Sequence, residues 1–208
     1  MRAKTEQEAF WAGDFGTGYR ERNRGMVPNN VALFAQILRH VPRGTINSVL
    51  ELGAGDGQNL EAIHILLPEA DLTAVEINEK TAMEIPVGDI ICASALDFAL
   101  PEECEPDLVF TKGLLIHLPA EDRQKIYARM LAETGRYVLM VEYYSPNEAA
   151  IPYHGEAGKL WKMDFMAEFE TVVKLMGAAC NLIAYGFTSK RDTFPQDDVT
   201  WAIFQVGP

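Results

Sequence analysis

The chain has 208 residues, 48% of them apolar, and its 30 Asp and Glu against 18 Lys and Arg give a formal net charge of -12. That length and apolar share fit one α/β domain with an extension. The acidic balance argues against nucleic-acid binding and against an anionic membrane surface, both of which need clustered Lys and Arg, although one local Arg group would still suit an anionic ligand.

Residues up to about Gly25 are polar and aromatic and read as a lid: Gly13, Gly16 and Gly18 supply bends, Trp11, Phe15 and Tyr19 apolar cover, and Arg20, Arg22 and Arg24 cations. An Arg of this set would clamp a carboxylate or phosphate; the alternative is a polar arm with solvated arginines. Trp11, Arg22 and Asn23 are taken as substrate contacts. A helix is predicted over about Asn30–Val41, closed by Pro42, Arg43 and Gly44. Residues 1–44 therefore read as an extension, and 45–208 as the main domain. In the latter, strands are predicted at Ser48–Leu52, Asp71–Glu76, Asp89–Cys92, Asp107–Thr111, Arg136–Glu142, Asn181–Phe187 and Thr200–Val206. Helices fall between them at about Gln58–Leu66, Glu79–Ile85, Ala120–Glu133 and Met163–Ala178. The alternation implies a Rossmann-like, mostly parallel seven-stranded sheet with helices on both faces. The last two strands have no helix between them and read as an antiparallel hairpin. In such sheets ligands bind beyond the carboxyl ends of the strands.

The first strand ends in Glu51, and Gly53, Gly55 and Gly57 follow at alternate positions before a helix. Strand, glycine turn and helix N-terminus make a nucleotide-sized cradle. The spacing is G-x-G-x-G, not the G-x-G-x-x-G of a dinucleotide site, and a carboxylate precedes it. Both features suit a cationic, phosphate-free ligand; S-adenosylmethionine is one. Glu76 ends the second strand, about 20 residues on, where an acid accepts ribose hydroxyls; its alternative role is an acid favoured by the dipole of the next helix. Ser94, Ala95 and Leu96 follow the third strand and are candidates for the adenine edge, or simply a short loop. After the fourth strand, His117 is placed to remove a proton from an acceptor, or to pack beneath the site. Lys112 is expected to touch the cofactor through its backbone alone, because its charge sits badly beside a sulfonium. The segment from Tyr143 to Gly155 is long for a connection and Tyr-rich, so it reads as a second cover loop with Tyr143, Tyr144 and His154 as substrate contacts. Trp161 and Phe165 read as core.

Taken together, Val49 to Asn59, Ala74-Val75-Glu76, Asp107 to Gly113 and His117-Leu118-Pro119 resemble the successive motifs of class I S-adenosylmethionine-dependent methyltransferases. The resemblance implies that Glu51 and the three glycines hold the methionyl part, Glu76 the ribose, and Ser94 to Leu96 the adenine. Thr111, Lys112 and Gly113 would line the cofactor from below, with Tyr19, Ala54, Asn59 and Ile77 completing its contacts. Ser94 stands where an Asp is common. The N-terminal run from Phe10 to Gly16, then Tyr19 and Glu21-Arg22-Asn23, together with Val75 to Lys80, is similar to the pseudaminic acid biosynthesis-associated methylases. That narrower resemblance implies a small polar acceptor such as an acidic sugar or its nucleotide-activated form. The alternatives are a nicotinamide-dependent oxidoreductase on a similar fold and a methyltransferase acting on a protein or other macromolecule. The first is disfavoured by the glycine spacing and by the lack of a Tyr-x-x-x-Lys pair after the later strands.

Cys92, Cys104 and Cys180 have neither disulfide nor metal spacing. With no apolar run of membrane-spanning length and no apolar signal core, the expectation is a cytoplasmic monomer or homodimer that holds no metal.

Overall fold

The computed structural model describes residues 5–18, 23, 25–101 and 104–207. Tyr19, Arg20, Arg22 and Arg24 lie outside the described residues.

Alternating apolar runs and amphipathic stretches give nine strands and seven α-helices among these residues. The strands are β1 Ser48–Leu52, β2 Asp71–Glu76, β3 Asp89–Cys92, β4 Leu108–Lys112, β5 Tyr137–Tyr143, β6 Ala149–Tyr153, β7 Glu156–Lys162, β8 Cys180–Thr188 and β9 Val199–Val206. The helices are α1 Glu6–Ala12, α2 Asp14–Thr17, α3 Val27–Leu38, α4 Gln58–Leu66, α5 Glu79–Ala82, α6 Ala120–Glu133 and α7 Phe165–Met176, with a 3-10 turn at Leu115–His117. Seven strands form one sheet in the order β3-β2-β1-β4-β5-β9-β8. The first five are parallel, while β9 runs antiparallel to both β5 and β8, so the expected terminal hairpin is present.

The sheet is covered on both faces because its central strands are apolar on both. Val49, Phe110 and Leu139 pack with Leu33, Phe34 and Ile37 of α3 and with Leu60 and Ile63 of α4. Leu50, Val109 and Met140 pack with Ile126 and Met130 of α6 and with Phe169 of α7. Each such side chain contributes about 1.5–3 kcal/mol by leaving water. Arg123 of α6 is fully buried yet fully bonded: it donates to Glu168 of α7 at 2.8 and 3.1 Å, to Glu148 before β6 at 3.2 Å and to the Leu118 carbonyl at 2.9 Å. It therefore ties both helices to the turn that carries His117.

Some boundaries differ from expectation. Helix α3 begins at Val27 because Pro28 fits a first turn, where no N–H is needed. Helix α5 ends at Ala82, and the chain turns so that Ile85 packs against Gly57. Helix α7 starts at Phe165, where the Asp164 side chain caps Ala167 N at 3.0 Å, and stops at left-handed Gly177. The expected cover loop after β5 is instead a second ribbon, β6–β7, closed by His154 and Gly155 at φ of 49° and 89°. Pro152 hid it, since a proline demotes a strand assignment except at an edge. Helices α1 and α2 were not foreseen, although Thr5 and Glu8 form a capping box that a residue-by-residue search can find. Among the described residues no helix is long and apolar enough to cross a membrane.

Candidate active site

The carboxyl ends of β1, β2, β4 and β5 open into one cavity of about 810 Å³. Its floor is the turn after β1. Gly53 and Ala54 donate their N–H groups to the Val75 carbonyl at 2.8 and 3.0 Å, which bends the chain back over β2. Gly55, at φ of 57°, turns its own N–H onto Glu76 Oε2 at 2.8 Å. Asn78 N donates to the other oxygen, Oε1, at 2.7 Å. Burial raises the Glu76 pKa, opposed by the backbone N–H groups of Asn78, Gly55 and Ile77 that favour its ionised form. The carboxylate is thus aimed by two amides and keeps lone pairs for a diol. Asp56 follows in the same turn, lines the cavity just before the N-terminus of α4, and accepts from Gln58 Nε2 at 3.0 and 3.1 Å.

Beyond β3, Ser94, Ala95 and Leu96 also line the cavity. The Ser94 Oγ accepts from Leu96 N at 3.1 Å, which leaves its hydroxyl hydrogen free to turn to a ligand. On the opposite side an amide chain runs along the wall. Gln196 Nε2 donates to Asn30 Oδ1 at 3.0 Å, Asn30 Nδ2 to Asn59 Oδ1 at 2.9 Å, and Asn59 Nδ2 to Glu51 Oε1 at 2.7 Å. Glu51 ends this chain fully buried, with its other oxygen lacking a hydrogen-bond partner among the described residues and its pKa pushed well up by desolvation.

The far end holds two buried titratable groups. His117 is buried between Trp11, with ring centroids 4.5 Å apart, and Tyr153, at 4.9 Å. The His117 Nδ1 lies 2.7 Å from the Lys159 carbonyl, so the hydrogen sits on Nδ1 and Nε2 is the accepting nitrogen. Burial lowers its pKa to about 4. Glu142, at the end of β5, also lines the cavity and accepts from Leu114 N and Leu115 N at 3.2 Å each. Burial pushes its pKa up to about 7, against those amides.

Two elements cover the cavity. Asn78 Nδ2 donates to the carbonyls of Trp11 at 3.1 Å and Gly13 at 2.9 Å, and Thr81 Oγ1 donates to Gly16 O at 3.2 Å. A Cβ at Gly16 would strike the Trp11 carbonyl, so only glycine fits beneath this bend. The arm meets the β6–β7 ribbon through Gln7 Nε2, which donates to Gly158 O at 2.7 Å, and through Lys159 Nζ with Glu6 Oε1 at 2.7 Å. Phe15 adds ring contacts to Tyr153 and His154, both at 5.6 Å.

The cavity brings together Trp11, Asn23, Gly53, Ala54, Gly55, Asn59, Glu76, Ile77, Ser94, Ala95, Leu96, Lys112, Gly113, His117, Tyr143 and His154, all anticipated from the sequence. Glu51, Gly57, Thr111 and Tyr144 are not on its wall. Glu51 lies beneath it, behind Asn59. Gly57 is the left-handed cap of α4, and a Cβ there would come within 2.7 Å of Ile85. Thr111 is fully buried, and Tyr144, just past the end of β5, is 46% exposed. Sequence reasoning missed Glu142, although an acid interrupting an apolar strand was a visible signal. It also missed the amides of Asn30 and Gln196, 166 positions apart, which no local pattern links.

No family model and no curated protein matches the sequence. The chain is similar in structure to a Leishmania major S-adenosylmethionine-dependent methyltransferase, with a TM-score of 0.69 at 17% identity over 97% of this chain and 81% of that one. It is similar also to the Burkholderia thailandensis 1,6-didemethyltoxoflavin N1-methyltransferase, solved with its acceptor and S-adenosylhomocysteine, with a TM-score of 0.69 at 15% identity over 100% and 92% of the chains. A Micromonospora echinaspora amino pentose methyltransferase matches with a TM-score of 0.63 at 13% identity over 94% and 97%. The fold is that of class I methyltransferases. In this methyltransferase fold the seven-stranded sheet and its reversed terminal hairpin agree with the expectation from sequence.

Proposed function

We propose that the chain is an enzyme that transfers a methyl group from S-adenosylmethionine to a small polar acceptor, such as an acidic sugar or its nucleotide-activated form. The observation that carries the reading is Asp56. A dinucleotide places its pyrophosphate at the N-terminus of the helix after β1. Here a carboxylate occupies the approach to that N-terminus, with Glu76 at the end of the neighbouring strand. Such a wall repels a diphosphate and suits a ligand with cationic groups and no phosphate. The amides on Glu76 and the Ser94 hydroxyl fit a ribose and an adenine edge. Methyltransferases of the same fold include ones acting on 1,6-didemethyltoxoflavin and on an amino pentose, which supports a small acceptor.

When bound, S-adenosylmethionine supplies the electrophilic methyl group. The protein then contributes alignment and dryness. Glu76 and the glycine turn hold the adenosyl part. Trp11, Tyr153 and His154 keep water from the acceptor. For a hydroxyl acceptor, His117 Nε2 takes the proton as the oxygen attacks, which is worth about 10²–10⁴-fold in rate. Trp11, Asn23, Tyr143 and His154 are the proposed acceptor contacts. An arm and a ribbon over the mouth favour a small acceptor over a macromolecule, which would need both to lift.

Calorimetric titration separates this reading from an oxidoreductase. S-adenosylhomocysteine should bind and NADH should not. Uptake of NADH without uptake of S-adenosylhomocysteine overturns the proposal.

A further inference from the structure

Lys112 ends β4, beside the glycine turn, and lines the cavity. It shares a sheet face with Phe110, whose register partner across β1 is Glu51. Its side chain lies in the combined field of Glu51, Glu142 and Asp197, which come from the end of β1, the end of β5 and the β8–β9 connection. None of the three is bonded to it: among the described residues Lys112 Nζ has neither a hydrogen bond nor an ion pair. The other lysine on the cavity wall, Lys190, is already 3.6 Å from Asp198. Asp197 is likewise engaged, accepting from Tyr143 Oη at 2.6 Å.

This is an unusual place for an ammonium. Lys112 is half-buried on the cavity wall, and desolvation already lowers its pKa. The neighbouring carboxyls are poor counter-ions, because burial draws Glu51 and Glu142 toward their neutral forms. A four-carbon stem carries the charge away from the strand end, so the ammonium need not face a sulfonium beside Gly113.

We propose that the Lys112 side chain is a carboxylate-binding site, resting on the methyltransferase reading above. A methionyl group brings one carboxylate to this end of the cavity, and an acidic acceptor would bring another. The place of Lys112 beside the glycine turn, next to Gly113, favours the first source, because the methionyl part of the proposed ligand would lie over that turn. Lys112 thus contacts its ligand through its side chain, where the expectation from sequence was contact through the backbone alone.

The test compares S-adenosylhomocysteine with 5′-methylthioadenosine, which has the adenosyl thioether but no amino-acid part. Both are titrated calorimetrically into the wild type, Lys112→Met and Lys112→Arg, with folding checked by circular dichroism. Lys112→Met should weaken S-adenosylhomocysteine by about 10- to 100-fold, the loss of one charge-assisted contact. It should leave 5′-methylthioadenosine unchanged, and Lys112→Arg should restore part of the loss. If neither nucleoside responds, the acceptor is the remaining source. The wild type saturated with S-adenosylhomocysteine must then bind D-glucuronate at millimolar levels, and Lys112→Met must not. Equal weakening of both nucleosides, or no response to any probe, overturns the proposal while leaving the cofactor reading intact. A wild type that binds neither nucleoside overturns both.

Discussion

Two buried groups at the far end of the cavity titrate in opposite senses. His117 has a pKa lowered from 6.5 to about 4, so between those values the folded chain binds fewer protons there than the unfolded chain. Its contribution to stability is complete above pH 6.5 and is lost as pH falls through about 4. Glu142, raised from 4.5 to about 7, contributes fully below pH 4.5 and loses that contribution as pH rises through about 7. Between pH 4.5 and 6.5 the two slopes oppose each other. His117→Asn removes one of them while keeping a donor for the Lys159 carbonyl. The Tm of the wild type minus that of the variant should therefore rise from pH 4 to 6.5 and level off above, a change on the order of 3 kcal/mol in stability. A flat difference would place His117 in a solvated setting. His117 and Glu76 were nameable from sequence because Glu76 ends a strand and His117 follows one by a few residues. Glu142 was not named, because its importance comes from burial and from amides 27 and 28 positions earlier, and Asn30 from a partner on the β8–β9 connection.

At the scale of elements, the arm formed by α1 and α2 is held less by its own length than by Asn78. That side chain caps α5, accepting from Thr81 N at 3.0 Å, while its amide hydrogens reach Trp11 and Gly13. Asn78→Asp keeps the cap and removes the donors. The expected outcome is a folded sheet with a loosened arm: amide hydrogen exchange over residues 6–17 should be faster than in the wild type, with little change in Tm. Unchanged exchange would mean that the aromatic contacts alone hold the arm. The α/β layers were legible because period and punctuation agree in them. β1, β2, β3, α4 and α6 fall on the predicted residues, since each is bounded by glycine, proline or a polar run. The covering elements were less legible. Two helices of seven and four residues carry too little periodicity, and a ribbon containing Pro152 breaks the usual strand pattern.

For the whole molecule, the sheet order decides where everything meets. Crossing from β1 to β2 on one side and to β4 on the other sets the glycine turn, Glu76 and Lys112 around one crevice. Glu76, the proposed ribose acceptor, and Asn78, the holder of the arm, are separated by one residue and joined by a 2.7 Å bond. Gripping the nucleoside and fastening the cover are consequently not independent traits that substitution can tune one at a time. In a double-mutant cycle read by S-adenosylhomocysteine affinity, Glu76→Ala and Asn78→Asp together should cost less than the sum of the two alone, by about 0.5–3 kcal/mol. Strict additivity would show instead that seat and latch act separately.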